Sequence, residues 1–221
     1  MQPQELCNRV YLSGRLEEEP MPSHELYGEM FYTFPLLIPR LSGTDDRLPV
    51  TAGARVFSRP REQEYFNGEP SPAKGICLPR QGDYVAITGQ LRSYNVHQQG
   101  SNRLLITAFA RSMEFDCEEE EARNEVTLTG FLCKPVVYRT TPFSREIADM
   151  LLAVNRAYHK SDYLPLIAWG RNARFASTLA VGDCICVSGR LQSREYQKKM
   201  ADDSIVTRTA YEVSVSTIRL I

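Results

Sequence analysis

The chain has 221 residues, of which 43% are hydrophobic and 24% charged, the balance of an ordinary soluble globular protein built as one large domain or two small ones. No apolar run reaches the ~18 residues of a membrane span, and the opening MQPQELCNRV lacks the basic-then-apolar order of a secretion signal, so a cytoplasmic protein without a membrane partner is expected. The net charge of −1 conceals a split, with −6 on residues 1–122 and +5 on residues 123–221, which points to a polyanion partner for the second half.

Taken in chain order, NRVYLSGRL (8–16) alternates apolar with small or polar residues, as a half-buried strand does. FYTFPLLI follows as a longer, more apolar strand. The segment RPREQEYFNGEPSPAKG (59–75) holds three Pro and two Gly, which disfavour a helix and predict an irregular loop. QGDYVAITGQLRS (81–93) reads as a turn and a strand. CEEEEARN (117–124) is an acid run, best read as a solvated linker. Beyond it, NEVTLTGFL (124–132), IADMLLAV and LPLIAW (164–169) predict three strands. In ARFASTLAVGD (173–183), Phe175, Ala176 and Leu179 share a face at helical spacing and Gly182 supplies a stop. CICVSGRL and TAYEVSV close the chain as two strands joined by a polar hairpin tip.

The halves repeat one another. At a shift of 116, Asn8, Val10, Leu12, Gly14 and Leu16 meet Asn124, Val126, Leu128, Gly130 and Leu132, and further on Arg40 meets Arg156 and Asp46 meets Asp162. At a shift of 100, Gly82-Asp83, Gly89, Leu91 and Ser93 meet Gly182-Asp183, Gly189, Leu191 and Ser193. Two ordered blocks of matches indicate duplication. Three strands, a short helix and two strands in about 100 residues is the element order of the OB-fold, a five-stranded Greek-key barrel. The expected architecture is all-β: two tandem OB-fold barrels, the second with a short helix. Its boundaries are a divergent barrel at 1–116, an acidic linker at 117–123 and a second barrel at 124–221.

Catalytic constellations are absent from the sequence. It contains no GxxxxGK[ST], no GxSxG and no HExxH. His24, His97 and His159 are far apart, and the six cysteines form no CxxC pair. Asp45-Asp46 and Asp202-Asp203 fall at expected hairpin tips, where Asp is a turn former. No enzyme activity, metal site or cofactor is expected.

The blocks NEVTLTGFLCKPVVYRT, LPLIAWGRNARFASTLAVGD, VSGRLQSREYQ and TAYEVSV resemble the bacterial single-stranded-DNA-binding protein family over nearly all of 124–218. That resemblance implies base stacking on aromatics at four barrel positions, held here by Tyr158, Tyr163, Trp169 and Tyr196, with phosphates tracked by Arg156, Lys160, Arg171, Arg174, Arg194, Lys198, Lys199 and Arg208. Several of the family's rings are Trp, so Tyr implies weaker stacking per base. The plainer alternatives stay open: Trp169 as core, Tyr158 and Tyr163 as flanks of the HKSD hairpin, Arg174 as a solvated helix residue. Tyr138 and Arg145 are further strand-contact candidates. The resemblance also implies a homodimer giving four barrels, a nucleoid-associated location and work in DNA replication, recombination or repair. Family members carry an acidic C-terminal tail that recruits replication and repair proteins. This sequence stops at VSVSTIRLI, which puts that mode of recruitment in doubt, while replication or repair proteins stay candidate partners.

In the first half the four ring positions fall on Ser42, Arg47, Gly53 and Val96. That barrel is expected to keep the fold, to lose much of the stacking surface, and to serve assembly or protein contact. Phe31, Tyr32, Phe57, Tyr65, Phe66 and Tyr94 either make a different surface or anchor core and loops, with Phe31 read as core. The alternative functions are a replication-restart or protein-interaction factor of the same fold with weak or RNA-directed binding, and an appendage used in translation; fold alone does not separate them.

Overall fold

The computed structural model describes residues 7–40, 42–57, 65–66, 69–70, 77–98, 101–115, 122–199 and 203–221. Most of the predicted loop 59–75, residues 117–121 of the linker and Asp202 lie outside them.

The first half contributes β1 (Asn8–Leu16), β2 (Met21–Leu26), β3 (Glu29–Pro39), β4 (Asp45–Gly53), a 3₁₀ turn at Ala54–Phe57, the two-residue strands β5 (Tyr65–Phe66) and β6 (Glu69–Pro70), and the long β7 (Tyr84–Gln98) and β8 (Ser101–Phe115). The second half contributes β9 (Asn124–Leu132), β10 (Val137–Thr140), β11 (Glu146–Arg156), β12 (Lys160–Trp169), α1 (Arg171–Ala176), β13 (Cys184–Lys199) and β14 (Ile205–Leu220). In each half five long strands close into a barrel through one parallel pairing, β4 with β8 and β12 with β14. The chain forms two tandem OB-fold barrels.

Alternation builds the cores. Along β12 the even residues Asp162, Leu164, Leu166 and Ala168 are buried, while Tyr163 and Trp169 face outward, as the period of two requires. Leu12, Leu36, Leu48 and Leu91 in the first half, and Leu128, Leu152, Leu164 and Leu191 in the second, are fully enclosed. Truncating any of them to Ala costs about 2–5 kcal/mol. The β7–β8 and β13–β14 hairpins each slip register at a glycine, Gly89 and Gly189. A Cβ there would strike the carbonyl oxygen of Phe109 or Ser214 on the facing strand, so the bulge that bends each hairpin into its barrel demands glycine.

Two details differ from the sequence reading. The helix begins at Arg171, and its buried residues are Ala173 and Ala176, while Phe175 is 39% exposed. A six-residue helix has room for one narrow stripe against the sheet, and small alanines let it sit close; Phe175 falls beside that stripe. In the first barrel the helix's place is taken by the 3₁₀ turn, whose Phe57 is fully buried and packs edge-on against Tyr32, ring centroids 5.5 Å apart.

The barrels join through β1 and β9, which pair antiparallel with Val10 opposite Val126. These are repeat-equivalent residues, so a pseudo-twofold axis passes between them, and the twelve strands of this sheet run in a palindromic order, β10-β11-β12-β14-β13-β9-β1-β7-β8-β4-β3-β2. Two buried carboxylates lock the joint. Asp46 is 1% exposed and accepts from Arg40 Nε at 2.8 Å, from Arg190 Nη1 at 3.0 Å and from the Ser193 backbone N–H at 2.9 Å. Asp162 is fully buried and accepts from Arg92 Nη1 at 3.0 Å and the Ser93 N–H at 2.8 Å, with Arg156 Nη1 at 3.6 Å. Each carboxylate thus binds the hairpin arm of the opposite barrel. Asp46, expected in a hairpin tip, is instead buried early in β4, because two guanidiniums and an arm N–H compensate its charge.

Candidate nucleic-acid interface

The outward face of β12 carries Tyr163 and Trp169, 43% and 40% exposed. They stand six positions apart, about 20 Å at the rise of a strand. Between them lie Pro165 and Ile167, faced on β11 by Leu151 and by Asp149, whose carboxylate is paired with Arg139 at 2.9 Å, while Ala153 faces Tyr163. Pro165, Ile167, Leu151 and Ala153 give the face its apolar floor. The β11–β12 turn presents Tyr158, almost wholly exposed, with positive φ at both Tyr158 (61°) and His159 (54°). On the β13–β14 arm of the same barrel Tyr196 is 37% exposed. All four rings are therefore at the surface, and Trp169 is not a core residue.

Backbone bonds fix this arrangement. Tyr163 N–H donates to Ser93 Oγ at 2.8 Å, so an arm residue of the first barrel holds a ring of the second in place. Trp169 precedes Gly170, whose φ of 52° turns the chain into α1 and whose N–H donates to Glu146 O at 2.9 Å.

The cations divide by setting. Arg194 is 58% exposed and its guanidinium lies 6.0 Å over the Tyr196 ring, with Glu212 at 3.7 Å. Arg174 is 65% exposed, 3.5 Å from Glu146. Lys160 and Arg171 are exposed, and Arg208 is half-buried, opposite Tyr196 in the ladder. Lys198 and Lys199 extend β13 beyond Tyr196. Arg156 differs: it faces inward to Asp162 and is only 26% exposed, which makes it part of the inter-barrel lock. Near the Trp169 end, Tyr138 donates its hydroxyl to Glu146 Oε1 at 2.6 Å, and that bond, ahead of all else, raises the phenol's pKa; Arg145 is exposed in the same hairpin.

The sequence reading passed over Phe143, 87% exposed at the β10–β11 tip. Its repeat equivalent, Tyr27, stands at the β2–β3 tip and is 97% exposed. Aligning the two halves at the shift of 116 would have paired these rings.

Among known proteins, the model of the family described as "Single-strand binding protein family" matches residues 123–221. The single-stranded DNA-binding protein 3 of Clostridium acetobutylicum is 33% identical over 96 residues, 40% of this chain and 67% of that protein. The single-stranded DNA-binding protein 1 of Streptococcus pyogenes is 32% identical over 96 residues, 40% of this chain and 74% of that protein. The wild-type single-stranded DNA binding protein of Thermus aquaticus superposes with a TM-score of 0.69, covering 98% of this chain and 93% of its own at 21% identity, a likeness of fold. With the family model on the second barrel and relatives aligned over two thirds or more of their length, the chain belongs to the single-strand binding protein family.

Proposed function

We propose that the chain binds single-stranded DNA with little sequence preference, and that the second barrel carries the binding. The observation that supports this most directly is the placement of Tyr163 and Trp169 on one outward face, with Tyr196 and Arg194 exposed on the arm of the same barrel. A half-exposed ring on an apolar floor accepts the flat face of any base, while nearby guanidinium and ammonium groups neutralise phosphates. Arg171, Arg174, Arg194, Lys160, Lys198, Lys199 and Arg208 are the phosphate contacts in this reading, and Arg156 acts by holding Asp162. No step of bond making or breaking is involved. The barrel would coat exposed strands during replication, recombination or repair, and two chains would supply four barrels.

The test is a titration of the full chain with polythymidine, following fluorescence of the single Trp169 at several salt concentrations. Strong quenching, with affinity falling as salt rises, is the expected result, since stacked bases quench and phosphate neutralisation releases counterions. A chain that neither quenches nor binds refutes the assignment.

A further inference from the structure

We propose that the first barrel carries a second nucleobase-binding site, a cleft with Tyr94 as its stacking ring. The inference rests on the single-strand reading of the second barrel and concerns a different surface.

The cleft, about 560 Å³ in volume, lies on the outward face of β3 and β4 under the β7–β8 arm. Its floor includes Pro49 and Thr51, the repeat equivalents of Pro165 and Ile167 between the second barrel's rings. Position for position the rings are gone, since Arg47, Gly53 and Val96 stand where Tyr163, Trp169 and Tyr196 do. Yet residues two apart on a strand share a face. Tyr94 is two residues before Val96 on the same strand, both line the cleft, and Tyr94 is 43% exposed. The same two-residue exchange has occurred beside it. Arg190 and Gln192 form a bonded pair on β13, and on β7 the pair is Gln90 and Arg92, with the order reversed.

A ring has also been displaced across the ladder. Gly53 lies opposite Phe31 on β3, and a Cβ on Gly53 would come within 3.3 Å of Phe31 Cε1. Phe31, expected in the core, is half-buried and stacks on His24, centroids 4.9 Å apart with planes 5° from parallel. His24 in turn lines the cleft. The aromatic surface has moved to neighbouring positions of the same face.

Charge decides which part of a nucleotide fits. Arg47, which lines the cleft, is bonded to both Glu17 and Glu18. That guanidinium is outnumbered by two carboxylates, so the cleft offers phosphates little. It offers a base a ring, an apolar floor and the hydroxyls of Ser23 and Thr33. Burial pushes the Tyr94 phenol's pKa up, against the pull of Arg92 and Arg156, so the ring stays neutral in the physiological range.

The experiment measures anisotropy of fluorescein-labelled oligothymidylates of increasing length on the full chain, as wild type and as Tyr94→Ala, Tyr94→Phe and Thr33→Trp, the last filling the cleft from its floor. For Tyr94→Ala and Thr33→Trp, affinity for long oligomers should fall about 5- to 150-fold, the range one stacked base is worth. The length covered per chain should shorten, and the dependence of log affinity on log salt should keep its slope, because no phosphate contact is lost. Tyr94→Phe should bind like wild type. Unchanged affinity and covered length in Tyr94→Ala overturn the proposal, as does a shallower salt slope, which would place the effect on the second barrel's phosphates. A wild-type chain that binds no oligomer overturns the single-strand reading itself, and this inference falls with it.

Discussion

Removing the Asp162 carboxylate should destabilise the whole chain more than any surface change. The group is fully buried and holds three partners: Arg92 at 3.0 Å, the Ser93 N–H at 2.8 Å and Arg156 at 3.6 Å. In Asp162→Ala, two guanidiniums that are 15% and 26% exposed lose their counter-charge and a buried N–H loses its acceptor. Breaking a buried pair by deleting one partner costs about 3–5 kcal/mol. The slight exposure of both arginines lets water reach them, which favours the low end, about 3 kcal/mol. For a domain of 150–250 residues, that corresponds to a fall in Tm of roughly 6–12 °C. Urea unfolding followed by Trp169 fluorescence measures it, and Arg92→Ala completes a double-mutant cycle. The cycle should return a coupling of at least about 1 kcal/mol. A single mutant within 1 kcal/mol of wild type, or a coupling near zero, would show that the carboxylate does not hold the joint.

The other expectations are independent of that one. Trp169→Ala combined with Tyr196→Ala should weaken polythymidine binding by roughly 2–6 kcal/mol, two stacked bases' worth, and unchanged affinity in a filter-binding assay would remove stacking from the mechanism. Gly189→Ala drives a methyl into the Ser214 carbonyl and should cost about 1–3 kcal/mol of stability by overpacking; a neutral result in urea would show that the bulge relaxes freely. Burial raises the thiol pKa of both Cys133 and Cys184. Raised values mean less thiolate at a given pH, so both should alkylate with iodoacetamide more slowly in the native chain at pH 8 than in the urea-unfolded chain. Equal rates would contradict the burial.

Much of the fold was legible because duplication writes each signal twice. Asn8 and Asn124 marked the repeat, and in the structure each bridges to the equivalent leucine of its own barrel, Leu91 or Leu191, through the side-chain amide. The roles of Arg40, Asp46, Ser93 and their equivalents were not legible, although their recurrence was. Their bonds cross from one repeat to the other over 69 to 153 residues, and no local pattern encodes a partner that far away. By sequence alone Asp46 reads as a turn former for the same reason. Position alone put the four rings of the second barrel at the surface, where the structure has them. For Tyr94 position left two readings open, a different surface or an anchor, because a residue-by-residue comparison is stricter than the physics of a strand, which fixes a face and leaves the position along it free. Phe175 was misplaced because helical spacing names a stripe only once the helix start is known.

The antiparallel joint at Val10 and Val126 has a consequence for how such a protein can change. Where two separate copies meet on a twofold axis, every substitution appears twice, and a swap good for one side burdens the other. In this chain each half is encoded once. Gln90 and Arg92 can stand in the reverse order of Arg190 and Gln192 while both carboxylates keep a guanidinium, and position 53 can hold glycine while its equivalent holds Trp169. Covalent fusion turns a symmetric partnership into two specialists, and the transposed Arg–Gln pair is the trace of that freedom.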